Sequence, residues 1–268
     1  MLALAAMGWR NAIAPPIVRR LTLEVPDWRY PHPLSIVFFS DVHVHGPDMP
    51  PSRVAAIVRT INSLRPDIVI SAGDFVGGDF VGARYRVSDA IAPLAQLKPK
   101  LGFYVVLGNH DYTAGGNEIV RALQRVGAHV LINDAQTVGP IALAGIDGRI
   151  HSKRAQWTAR RQQTYRALDR TAGVRVLVAH RPDEFKWVPN SVLLTLAGHT
   201  HCGQIVLPLV GALVTGSDFG SKYLCGVIRD GPKTLVVTGG LGTSHVPLRI
   251  GAPADLWLIT IRGESAHR

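Results

Sequence analysis

Five short stretches of this 268-residue chain close apolar runs with side chains that bind cations or move protons. They are Asp41-Val42-His43, Gly73-Asp74, Gly108-Asn109-His110-Asp111, His180, and Gly198-His199-Thr200-His201. Imidazoles, carboxylates and one amide make a mixed nitrogen and oxygen donor set. Such a set suits Mn, Fe or Zn and suits Ca poorly. Seven or eight such groups exceed what one tetrahedral ion takes. They match two ions sharing a bridging carboxylate, and ion pairs ~3.5–4 Å apart are a known device for hydrolysing phosphate esters. Each cluster alone has an ordinary reading. A lone Gly-Asp is a turn, Asp41 could cap a helix, and His180 could be a satisfied core histidine. Recurrence at five run ends is what points to chemistry.

The elements that would position these groups alternate along the chain. LSIVFFSD (34–41), DIVISAGD (67–74), LGFYVVLGNHD (101–111), VRVLVAH (174–180) and VLLTLAGHTH (192–201) are nearly continuous apolar runs, the pattern of strands buried on both faces. Functional groups in open α/β sheets gather at the carboxyl ends of strands, so five neighbouring ends bring the clusters together. Between them, Val54, Ile57, Val58, Ile61 and Leu64 recur at helical spacing, with Ser52 as the expected cap and Pro66 past the end. VSDAIAPLAQLKPK, GNEIVRALQRVG and the basic WTARRQQTYRALDRT also read as helices, the second closed by Gly127. AHVLIND and PIALAGID read as strands. The last third, QIVLPLVGALV, YLCGVIRDGPKTLVVTGG and DLWLITIRG, reads as strands and turns, with RDGPK as a hairpin. Strand–helix alternation followed by strands predicts an α/β protein with two packed sheets and helices outside.

The apolar start, MLALAAMGWRNAIAPPIVRR, is interrupted by Arg10 and Pro15-Pro16 and falls short of the ~20 apolar residues a spanning helix needs. Residues 1–30 are therefore read as an N-terminal segment, either a membrane-surface contact or an anchor stub, and 31–268 as a single domain. The net charge of +10 favours anionic partners, but no Lys/Arg tract is dense enough for a nucleic-acid arm, so no nucleic acid is expected. Cys202 and Cys225 form no CxxC. A bridge between them stays open, with Cys202 favoured as a small space-filler.

In order, FSDVHVHG, SAGDFVGG, VLGNHDY, VLVAHRPD and LAGHTHCGQI resemble the motif blocks of the calcineurin-like metallophosphoesterase superfamily. GHTHCGQI and GGLGTSHVPLRIG resemble its membrane-associated bacterial branch of the YkuE and YaeI type. The resemblance implies an α-β-β-α sandwich of two mixed sheets flanked by helices. It also implies two divalent ions: Asp41, His43 and His201 on the first, Asn109, His180 and His199 on the second, and Asp74 bridging. His110 becomes the catalytic histidine that is not a ligand, with Asp111 orienting it. The implied reaction is direct attack of an ion-activated hydroxide on a phosphodiester, phosphomonoester or pyrophosphate. A lipid-linked substrate, as for relatives that hydrolyse UDP-2,3-diacylglucosamine in lipid A synthesis, predicts an apolar groove built from the N-terminus and 205–215. A non-catalytic metal-binding scaffold is the contrasting reading. The expected ions are Mn, Fe or Zn. The expected state is a monomer, cytoplasmic or peripheral to the inner membrane, with peripheral contact to anionic lipid.

Other residues carry smaller expectations. His245 departs from the branch pattern and either touches substrate or faces solvent. His45 stands near the site, and Arg181 and Arg249 could bind a phosphate through the guanidinium fork. Arg154, Arg160, Arg161, Arg166 and Arg170 are expected on a solvated helix face. His32, His129, His151 and His267 are expected at the surface.

Overall fold

Strands that are apolar on both faces must be covered on both sides, and this sets the layering. A computed structural model describes residues 2–26, 28–77, 83–149 and 154–264. In chain order these form α1 (Leu2–Ile13), β1 (Ile17–Val25), β2 (Leu34–Phe39), α2 (Pro51–Ser63), β3 (Ile68–Ser71), α3 (Val87–Ile91) and β4 (Phe103–Val105). There follow α4 (Asn109–Thr113), α5 (Gly116–Arg125), β5 (Ala128–Val130), β6 (Asp134–Val138), β7 (Ile141–Ile146) and α6 (Arg154–Asp169). The remainder holds β8 (Val174–Ala179), β9 (Leu194–Ala197), β10 (Val206–Leu207), β11 (Gly211–Ala212), β12 (Gly226–Asp230), β13 (Lys233–Val237) and β14 (Asp255–Gly263).

Two mixed six-stranded sheets result, ordered β1-β14-β2-β3-β4-β5 and β12-β13-β9-β8-β7-β6. Alternate residues of one strand serve two cores. Ile36 and Phe38 point between the sheets, where they join Ile68, Ile70, Leu143, Val176, Val178, Leu196 and Val236. Val37 and Phe39 point outward to α2, α3 and α5 through Val54, Ile57, Ile91 and Ile119. The far face of the second sheet packs Leu177, Ala179 and Leu235 against Leu168 of α6 and Phe185. The layers are therefore α-β-β-α, as the element order predicts.

Several local expectations need correction. Ser52 lies inside the first turn of α2; Pro50 flanks the helix and Pro51 starts it, with no side-chain cap. Proline suits this position because the first helical N–H has no partner in any case. AHVLIND splits into β5 of one sheet and the start of β6 of the other, so residues 131–133 carry the chain between layers. QIVLPLVGALV forms the two-stranded hairpin β10–β11, which joins neither large sheet. The largest difference is β1. It pairs in parallel with the whole of β14, so residues 17–25 belong to the first sheet although they precede the expected boundary at 30. Ahead of it, α1 docks on the 248–250 segment. Gly8 accepts a hydrogen bond from the Arg249 N–H, and Asn11 Nδ2 donates to the Arg249 carbonyl.

Candidate metal centre

The clustered residues leave the ends of adjacent strands on one rim of the sandwich. Asp41 and His43 follow β2, Asp74 follows β3, and Asn109 and His110 open α4 after β4. His180 follows β8, and His199 and His201 follow β9. Each sheet thus supplies part of the set across the seam between them.

The side chains converge in two groups. Asp41, His43 and His201 bring ligand atoms within 4.8 Å of one another, and so do Asp74, His180 and His199. Asn109 Oδ1 sits 3.0 Å from His180 Nε2, which adds the amide to the second group. Asp74 lies between the groups: its Oδ2 is 3.6 Å from His43 Nε2 and 3.3 Å from His180 Nε2. Its Oδ1 accepts the His110 N–H at 2.8 Å. His180 Nδ1 donates to the Ala72 carbonyl at 2.8 Å, leaving Nε2 aimed into the cluster. That outer hydrogen bond is the usual way a ligating imidazole is oriented.

The donor set itself tests whether cations fit. Imidazole nitrogens face each other at 3.2 Å (His43 with His201) and 3.1 Å (His199 with His180). Burial holds His43 and His199 down at about 3 and His201 well below the ordinary imidazole range, so these rings are neutral and present lone pairs. Burial raises Asp41 to about 6. Burial also opposes charge on Asp74, but His180 and His43 outweigh it and hold that carboxyl below its usual range. On His180, burial works against protonation and Asp74 outweighs it, raising the ring to about 9. Neutral imidazoles and carboxylates turned on one another are electrostatically complementary to shared divalent cations.

The backbone is strained to make this arrangement. Asp41 (φ 51°), His43 (46°), Asp74 (56°), His199 (71°) and His201 (51°) all adopt the left-handed conformation. Each such residue without glycine's freedom costs ~1–2 kcal/mol. Strain of this kind gathers at a single rim, which is where functional sites concentrate it. Two glycines permit the crowding: a Cβ at Gly108 would overlap Asp74 Oδ1, and one at Gly198 would overlap Ser40 Oγ and Asp41 Oδ2.

Several neighbours act differently from the sequence reading. Both Asp111 oxygens are taken by backbone amides: Oδ2 accepts from Asp74 and Gly108, and Oδ1 from Phe75, all at 2.8–2.9 Å. Its carboxylate therefore ties the Asp74 turn to the Gly108 turn. Arg249 is fully buried and binds no phosphate from there. It donates to the carbonyls of Gly239, Gly242 and Ala252, with Nη2 3.4 Å from His201 Nδ1, and so props the loop behind that histidine. His45 is buried too, with Nδ1 on the His43 carbonyl at 2.5 Å and Nε2 3.1 Å from Asp48. Arg181 pairs with Asp183 and Asp218. Arg160 is buried against Asp147, and Arg161 pairs with Glu184, whereas Arg166 and Arg170 are exposed. The side chain of Arg154 lies outside the described residues, as do His151 and His267, while His32 and His129 are exposed.

Cys202 and Cys225 are joined in a disulfide, which corrects the space-filler reading. Spacing alone carried no sign of it. The bridge anchors the turn that follows His201.

A cleft of about 480 Å³ opens over the two groups. Asp74, Asn109, His110, His199 and His201 form its floor. Ile205, Leu213, Val214, Val246 and His245 line its side. Ile205, Leu213 and Val214 of the 205–215 stretch line the cleft, while among the described residues none of α1 does.

Comparison with known proteins matches this picture. Residues 34–203 match the calcineurin-like phosphoesterase family profile. The chain is 31% identical over 254 residues to an uncharacterized metallophosphoesterase of Aquifex aeolicus, with 92% of each chain covered. It is 27% identical to the metallophosphoesterase YkuE of Bacillus subtilis, covering 95% of this chain and 89% of that one. It is 32% identical to a transmembrane protein with metallophosphoesterase domain of Danio rerio; 97% of this chain aligns, but it spans 60% of that protein. No helix among the described residues is long and apolar enough to cross a membrane. With its two ligand groups at the strand ends and a family match over most of its length, the chain belongs to the calcineurin-like phosphoesterases, a family of metal-dependent phosphoester hydrolases.

Proposed function

We propose that the chain hydrolyses phosphoesters at a dinuclear centre in which Asp41, His43 and His201 hold one cation and Asn109, His180 and His199 the other. Asp74 is shared between them. The observation that carries this reading is the position of Asp74, within 3.6 Å of a histidine from each group. A bound pair of divalent ions, Mn, Fe or Zn, supplies a nucleophile at neutral pH and neutralises charge on the phosphoryl group. The chain's own residues do the rest. Asp111 fixes the Asp74 and Gly108 turns, and Arg249 fixes the loop behind His201. His110 opens into the cleft, its main chain held by Asp74 and its ring edge-on to His43 at 5.0 Å between centroids. There it protonates the leaving alkoxide or steadies a phosphoryl oxygen.

His110→Ala tests this against a non-catalytic scaffold. Turnover of bis(4-nitrophenyl) phosphate should fall 10²–10⁴-fold, the usual worth of a general acid. Bound Mn²⁺, measured by elemental analysis, should stay at the wild-type level. Undiminished turnover in the variant, or no Mn²⁺-restored turnover in the wild type after chelation, overturns the reading.

Among candidate substrates, phosphodiester, phosphomonoester, pyrophosphate or lipid-linked nucleotide sugar, the apolar side of the cleft favours one that carries a lipid. The disulfide favours an oxidising compartment over the cytoplasm. Exposed Leu4, Met7 and Ile13 of α1 suit peripheral contact with an anionic bilayer. Failure of the protein to co-sediment with phosphatidylglycerol vesicles would remove that contact.

A further inference from the structure

A sixth strand end bears a carboxylate that the proposed reaction does not use. β7 runs parallel to β8, so its carboxyl end lies beside the one that leads to His180. Asp147 follows it and is buried. A buried carboxylate is costly unless it is paired and hydrogen-bonded, and this one is both. Arg160 of α6, itself buried, forms an ion pair with Oδ1 and donates to the carbonyls of Asp147 and Arg149. Oδ2 accepts from Asn133 Nδ2 at 3.4 Å and from the Tyr112 hydroxyl at 3.1 Å. The next residue, Gly148, is wedged against the centre. A Cβ there would come within 2.9 Å of the Leu107 carbonyl, His180 Cβ and Gly108 Cα. Its N–H donates to the Leu107 carbonyl at 2.7 Å. The charge pair is thus fixed to the turn that leads into α4.

α4 spans five residues, too few to hold a helical turn unaided. Asp74 holds its first end by accepting the His110 N–H. Tyr112 holds the other, with its hydroxyl on Asp147 and its ring 4.4 Å from the Arg149 guanidinium. Tyr112 stands two residues after His110, so it leaves the helix on a different face. Among the described residues that line the cleft, neither Tyr112 nor Asp147 figures. We propose that Tyr112 is a positioning residue for His110, and that the Asp147–Arg160 pair is the fixed point to which it is tied. This rests on the dinuclear reading and adds the residues that aim its histidine. The bond from Asp74 sets where α4 begins. The bond to Asp147 sets how the turn is rotated about that point, and the imidazole follows. A misplacement of ~1 Å can cost ~10²-fold in rate, so the aim matters.

Replacing Asp147 or Arg160 would leave the other charge buried and unpaired, which is strongly destabilising. Tyr112→Phe avoids this, because it removes the hydroxyl alone and keeps the ring beside Arg149. The test uses the full chain loaded with Mn²⁺ and bis(4-nitrophenyl) phosphate. In Tyr112→Phe, kcat should fall at least about fivefold with KM within about twofold of wild type, the pattern of a lost transition-state interaction. Bound Mn²⁺ should stay at the wild-type level. In a His110→Ala background the same substitution should change kcat by less than about twofold, because a residue that acts through His110 has nothing left to aim. A merely structural role would lower kcat equally in both backgrounds. Wild-type kcat in Tyr112→Phe, an undiminished loss in the His110→Ala background, or loss of bound Mn²⁺ from Tyr112→Phe overturns the positioning role while the dinuclear reading stands. Wild-type turnover in His110→Ala alone overturns both.

Discussion

His180 shows how charge decides what a buried imidazole does. Its Nδ1 is committed to the Ala72 carbonyl, so any added proton sits on Nε2, against Asp74. Asp74 holds that proton up to about pH 9 despite burial. An arriving cation must displace it, so protons compete with metal below about pH 9. Apparent affinity for Mn²⁺ should rise with pH toward 9, by up to tenfold per unit for one displaced proton. Below about 6 the slope should steepen, because burial lets Asp41 take a second proton there. Competition with a chromophoric chelator between pH 5.5 and 9 measures this, and a flat profile would refute the proposed role of His180. The clusters of candidate donors were legible in the sequence because each follows an apolar run. Arg249 and His45 were not. A guanidinium that props four carbonyls and an imidazole facing Asp48 look, as letters, like groups free to meet substrate. Only their burial separates structure from contact.

At the scale of elements, the strands that carry the site were legible because both of their faces are apolar. β1 was not, although Leu21, Leu23 and Val25 alternate with Thr22 and Glu24 as an edge strand should. It lies within the stretch read as an N-terminal segment, and its partner, β14, lies at the other end of the chain. The turns at strand ends depend on crowding that no periodicity reveals. Gly198 is one such case: β9 leaves the sheet so close to Asp41 that the His199 N–H reaches its Oδ2 at 2.9 Å. Gly198→Ala pushes a methyl into that contact. Overpacking of this kind costs about 1–3 kcal/mol, and here the turn that carries His199 and His201 must give way. The variant should fold, with a lowered melting temperature, and bind less than the wild-type amount of Mn²⁺. Wild-type stoichiometry and turnover would mean that the turn tolerates displacement and that the centre is not assembled as described.

For the whole molecule, the consequence is that the candidate centre spans the seam between the layers. Asp41, His43, Asp74 and Asn109 come from the β2–β3–β4 sheet, and His180, His199 and His201 from the central β8–β9 pair of the other. The interior between them is apolar and would hold the layers together without ions, so metal is not needed for the fold to exist. At the rim the situation is different. Five strained residues and several facing lone pairs are gathered there at a cost, and cations that bound only this arrangement would offset it. An ion at a hundredfold excess over its dissociation constant stabilises the native state by about 2.7 kcal/mol. For a domain of this size that is a rise of roughly 5–10 °C in Tm. The apo protein should therefore unfold in one transition with both sheets intact beforehand. Mn²⁺ should raise that transition in a concentration-dependent way, and His201→Ala should blunt the rise. If saturating Mn²⁺ leaves the Tm where chelator leaves it, the two sheets are not joined by ions and the rim residues are gathered for some other ligand.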